Sequence, residues 1–95
     1  MTISDNNKKF LDDLIQYYID ESESYKQFAS EYKEFSESEM DVAFGLIVGT
    51  IYSTFLQTYA NQQLEVGLDD IQEFHEFIKS NATQIKESLG KKEDE

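Results

Sequence analysis

His75 is the chain's only histidine and its only side chain suited both to acid–base work near neutral pH and to metal ligation. It stands in the segment QEFHEF. A carboxylate-bridged metal site built on helices pairs such a residue with a Glu three positions earlier. Here that position is Gln72, and the chain holds neither a second His nor any Cys. His75 is three and four residues from Ile78 and Ile71, which places it at the edge of an apolar face. It reads as a buried or half-buried polar residue, not as a ligand.

Glu21 is the second residue of interest. Leu11, Leu14, Tyr18, Glu21, Tyr25, Phe28, Tyr32 and Phe35 alternate steps of three and four, the spacing of one helical seam. Glu21 occupies a seam position where an apolar side chain belongs. A carboxylate buried there needs a partner or a proton; it would fix register or line a small site unless its stem carries the charge out to water. Helical rise puts Glu21 and His75 in different layers, about 12 Å apart, so they are not expected to pair.

Other catalytic arrangements are missing. No Cys nucleophile exists, no Gly-rich phosphate loop appears, and no Ser sits on a nucleophile elbow with a matched His and Asp. The sequon Asn81-Ala82-Thr83 falls inside a helical pattern. The residues therefore predict no enzyme, no metal and no cofactor.

The elements that carry these residues follow from the same periodicity. The seam predicts one helix over about residues 5–35, started by Ser4 or Asp5. The run Asp20–Ser24, DESES, offers a break and a division into two helices, but the seam keeps its phase across it, which favours continuity. A second helix is expected over about 38–65. Ser36 with Glu39, or Ser38 with Asp41, is placed to cap it, and Gly67 to end it. A third is expected over about 69–89, with apolar face Ile71, Phe74, Ile78, Ala82, Ile85 and Leu89. Short links make neighbours antiparallel. The expected fold is an all-α, up-down-up bundle of three long helices, or four if the first breaks near residues 20–24. It forms a single domain over residues 1–90, followed by a disordered charged tail at 91–95.

Charge narrows the function. Twenty Asp and Glu oppose eight Lys, Arg is absent, and the net charge is −12. A field of that sign repels nucleic acid and anionic membranes. The N-terminus, MTISDNNKKF, lacks the pattern of a signal peptide, so a cytoplasmic location is the default expectation.

Within this acidic chain, Val42–Leu64 carries no charge at all. A membrane span is not expected. Polar residues crowd its second half and no Lys or Arg flanks it. At about 100° per residue, Phe44, Ile47, Val48, Ile51 and Phe55 form a bulky face. Gly45, Gly49, Ser53 and Ala60 lie roughly opposite, and a polar stripe of Thr50, Thr54, Gln57 and Asn61 runs between. The missing charges predict burial on nearly every side. The Gly45–Gly49–Ser53 spacing admits close approach of another helix. The primary expectation is a homodimeric protein–protein interaction module, with Gly45, Gly49, Ser53, Thr50, Gln57 and Asn61 at the interface.

Two alternatives remain at this level. Asp13, Asp20, Glu23, Glu31 and Glu34 lie largely away from the seam, as in an acidic decoy that occupies the basic groove of a nucleic-acid-binding protein. The third is a small ligand- or metal-binding bundle around Glu21 or His75. The aromatic stripe Tyr18, Tyr25, Tyr32 is expected to be core, with hydroxyls at the rim.

Overall fold

The computed structural model describes residues 3–90. Among them the regular structure is entirely helical: α1 (Asp5–Asp20), α2 (Ser22–Ser30), α3 (Glu39–Asn61) and α4 (Leu68–Gly90), with a 3₁₀ turn at Lys33–Phe35. The charged tail expected at 91–95 lies outside the described residues.

The continuous first helix is corrected to two. Glu21 leaves helical geometry at φ −99°, ψ 17°, and the Ser24 N–H turns back to the Glu21 carbonyl at 3.0 Å. Neighbouring carboxylates and Ser residues give DESES little helix propensity of its own. Length supplies a second reason. A helix over 5–35 would be roughly 46 Å long, against a longest molecular extent of 42 Å. Breaking at Glu21 lets α2 lie along α3, its most extensive partner. The Ser22 hydroxyl ties the break to α4 by donating to the Ser88 carbonyl at 3.3 Å.

Named contacts fix how the long helices run. Near one end, the amides of Asn7 and Gln62 exchange two hydrogen bonds, at 3.1 and 3.0 Å. Beside them the Ile3 N–H donates to Glu73 at 3.0 Å and Lys8 pairs with Glu73 at 2.9 Å. At the other end Lys86 pairs with Asp41 at 3.1 Å. α1 and α4 thus run the same way, and α3 runs against both.

The caps are local and specific. The Ser4 hydroxyl accepts from the Asn7 N–H, and the Ser38 hydroxyl from the Asp41 N–H, each at 3.1 Å. α3 ends earlier than the pattern predicts. Gln63 takes φ 60°, the Gln63 N–H reaches the Ala60 carbonyl at 3.0 Å and the Leu64 N–H reaches Tyr59 at 2.9 Å. That pair of bonds is a Schellman stop with Gln at the left-handed position. Gly67, expected to end α3, instead opens α4. Its carbonyl accepts from the Ile71 N–H at 3.1 Å, and its N–H donates to Asp70 at 2.9 Å.

The core is a layer of aliphatic and aromatic side chains between α3 and the other helices. Leu11, Ile15 and Tyr18 come from α1, Ala29 from α2, Ile47, Ile51, Phe55 and Tyr59 from α3, and Phe74, Ile78, Ile85 and Leu89 from α4. Phe55 is its aromatic centre, with ring centroids 4.8 Å from Phe74 and 4.9 Å from Tyr59.

Candidate functional site

The two candidate buried polar residues, Glu21 and His75, both reach solvent. Glu21 is exposed because it is the break residue, so no seam encloses it there. His75 is also exposed. Its ring lies at 16° to that of Tyr52, 6.1 Å between centroids, as a boundary side chain resting on the core. Thirteen residues of α4 separate His75 from Ser88, the α4 residue tied to the break, a rise of about 20 Å. Glu21 and His75 are therefore not brought together. Among the described residues no group of three or more His, Cys, Asp or Glu could hold a metal ion.

The buried polar residues are Asn7 and Ser88. Both stand in phase with an apolar stripe, Asn7 four residues before Leu11 and Ser88 three after Ile85, and extending the seams by one step would have found them. Their polar groups are satisfied. Asn7 exchanges hydrogen bonds with Gln62, and the Ser88 hydroxyl donates to the Ile85 carbonyl at 2.7 Å. The Ser36 hydroxyl, expected as a helix cap, is shut from solvent without a partner among the described residues, because Ser38 takes the cap. A hollow of about 280 Å³ between the start of α1 and α4 is lined by Ile3, Lys8, Glu73, Glu76 and Phe77; its Glu73 carboxylate already accepts from both the Ile3 N–H and Lys8.

The aromatic stripe leaves the core along its length. Tyr18 is buried, Tyr25 half-buried, and Tyr32 48% exposed, with Phe28 at 49% and Phe35 at 81%. The Tyr18 and Tyr25 rings meet edge to face at 5.3 Å across the break; beyond that point the seam has no groove to fill.

The prominent surface feature is the outward side of α3. Its buried residues, Ala43, Ile47, Ile51, Phe55 and Tyr59, recur every four residues and cover one side only. Within the chain itself burial stops short of this face: 22% of an apolar 18-residue window of α3 is buried inside the molecule. With α1 ending at Asp20, three amphipathic helices cover one side of α3 and leave the other open. Gly45, Gly49, Ser53, Leu56, Gln57, Ala60 and Asn61 are exposed, and Thr50 is half-buried. A Cβ added at Gly45 or Gly49 would meet nothing within 4 Å. Among the described residues no other helix occupies the small-residue face.

This face is also dry in its bonding. The hydroxyls of Thr50, Thr54 and Thr58 each donate to a carbonyl one turn back in α3, at 2.8, 3.0 and 2.8 Å. The Gln57 amide donates to Asn61 at 3.0 Å. The threonine hydroxyls thus donate their protons within the helix, while Ser53, Gln57 and Asn61 keep polar groups at the exposed surface. Covering the threonine part of this face forfeits few donor hydrogen bonds to solvent. By length and composition α3 could also cross a membrane. Against that, its inner side is packed into the core and its ends carry Glu39, Asp41 and Glu65 with no flanking cation.

Comparison of the chain with protein-family models, curated proteins and solved structures finds no match.

Proposed function

We propose that the protein is a non-enzymatic interaction module that self-associates through the outward face of α3. The observation that carries this reading is the open, uncharged strip through Gly45, Gly49 and Ser53, beside threonines whose hydroxyls are bonded within their own helix. A second copy is the occupant the chemistry favours. Two chains of net charge −12 repel one another everywhere except across a neutral surface, and a two-fold axis there sets small residue against small residue. Gly49, at the middle of the strip, is where the proposed dimer brings the two helices closest.

Sedimentation equilibrium at micromolar concentration tests this. The expected mass is twice the 11.1 kDa chain. Gly49→Leu separates dimerisation from folding, because nothing in the protomer lies within 4 Å of the added Cβ. It should raise protomer stability by about 0.5–1 kcal/mol, since Gly is a poor helix former, and halve the mass. A wild-type protein that is monomeric throughout, or a Gly49→Leu variant that remains dimeric, overturns the proposal. Flotation of the wild-type protein with phosphatidylcholine vesicles would assign the face to lipid instead.

A further inference from the structure

A separate surface, at the far end of α2 and the following turn, points to a different kind of partner. Phe28, Tyr32 and Phe35 are 49, 48 and 81% exposed, and the Phe28 and Tyr32 rings stand 5.4 Å apart. Around them Glu31, Glu34 and Glu37 are exposed, and none of the three forms an ion pair among the described residues. Residues 28–39 hold four carboxylates against the single cation Lys33, a net −3. Aromatic faces attract cations through their quadrupole, and carboxylates attract them directly.

The molecule already contains one such arrangement with its cation in place. Lys86 Nζ lies 5.3 Å from the centre of the Phe44 ring and 3.1 Å from the Asp41 carboxylate. There a carboxylate and a ring three residues later on α3 hold a cation from another helix. The end of α2 brings the same residue types together in another order: Phe28 precedes Glu31 by three residues, and Phe35 follows it by four beyond the end of the helix. Among the described residues no basic side chain lies over these rings.

We infer that Phe28, Tyr32 and Phe35, with Glu31, Glu34 and Glu37, form a docking surface for an arginine-rich segment of another protein. Charge complementarity selects that occupant. The chain itself contains no Arg, and its eight Lys are outnumbered by twenty carboxylates, so a second copy offers this patch more repulsion than attraction. Guanidinium groups are favoured over ammonium because they stack on aromatic faces and bind carboxylates through two bonds at once. The inference is independent of the α3 face, which lies on a different helix and carries no charge.

A nona-arginine peptide titrated calorimetrically at physiological ionic strength tests it. Phe28→Leu/Tyr32→Leu/Phe35→Leu keeps apolar bulk and every charge but removes the ring faces, and should weaken binding about tenfold. Glu31→Gln/Glu34→Gln/Glu37→Gln should do the same. Asp12→Asn/Glu76→Gln/Glu87→Gln, which removes as much charge elsewhere, should weaken binding less than about threefold. Wild-type affinity in the ring variant, or an equal loss in the control variant, overturns the inference in favour of diffuse charge attraction. Ring-proton NMR of the unaltered protein gives a reading that does not depend on variant folding. Peptide-induced shifts confined to Phe28, Tyr32 and Phe35 support the surface, and shifts spread over α1 and α4 overturn it.

Discussion

Tyr59 shows how a single side chain couples the bundle to pH. It is buried at the C-terminal end of α3, and its hydroxyl donates to Asp70 at 3.3 Å. Burial holds its proton on, and the neighbouring Asp70 carboxylate adds to this, so its pKa stands above the ordinary tyrosine value of 10.0. Tyr25 is raised as well, by burial and then by Tyr18. Below about pH 10 both the folded and the unfolded chain keep these protons, and the contribution to stability is complete. Above that, the unfolded chain ionises first, so stability falls as pH rises toward the raised folded values. Denaturant midpoints should therefore hold up to about pH 10 and drop as the pH rises above it. The drop should be smaller for Tyr25→Phe/Tyr59→Phe; an equal drop in that variant would place the alkaline sensitivity elsewhere. Asp70 is the hinge pin of this corner, since its other oxygen accepts the Gly67 N–H.

At the scale of the helices, much was legible in the residues and some was not. The expected spans 38–65 and 69–89 correspond to α3 over Glu39–Asn61 and α4 over Leu68–Gly90. The α4 face is nearly as read, with Phe74, Ile78, Ile85 and Leu89 buried and Ile71 and Ala82 half-buried. The break at Glu21 was only an alternative, because the phase of a seam reports which residues share a face, not whether the backbone between them is continuous. The early end of α3 carried a misleading signal, since a left-handed stop usually falls on Gly and here falls on Gln63. That mismatch is correctable. Gln63→Gly should stabilise the protein by about 0.5–1 kcal/mol, the relief of left-handed strain less the added freedom of Gly in the unfolded chain. Thermal melts would register it as a rise of a few degrees, and an unchanged or lowered midpoint would refute it. The outward face of α3 was legible as an uncharged stripe that the other helices need not cover, but how much of the small-residue side it would include was not. A helical wheel assigns residues to sides without saying how far neighbouring helices extend to cover them.

For the molecule as a whole, charge is arranged by element. Carboxylates outnumber lysines in α1 and α4, α2 carries one of each in Glu23 and Lys26, and α3 is charged only at Glu39 and Asp41 in its first turn. Association through α3 then has a signature opposite to that of ordinary ion pairing. Raising salt from about 20 mM to about 500 mM screens the repulsion between two anionic protomers and should tighten the dimer. Binding of a cationic segment at the end of α2 should weaken over the same range. Sedimentation and calorimetry across one salt series distinguish the two surfaces, and a dimer that dissociates on adding salt would exclude a neutral interface.

The contacts between the chain's two ends bear on the order in which the protein is made. Ile3 and Lys8 are held by Glu73, Asn7 by Gln62, and Ser22 by Ser88. The first helix to leave the ribosome therefore finds its parallel neighbour only when the last one emerges. Until then both sides of α3 are short of cover, and a nascent chain stopped before residue 68 holds a helix uncharged beyond its first turn with no inner lining from α4. Synthesis from N- to C-terminus thus makes closure of this fold a late event. The stretch of chain most in need of shielding in the meantime is the same one that, in the finished molecule, still has an open side.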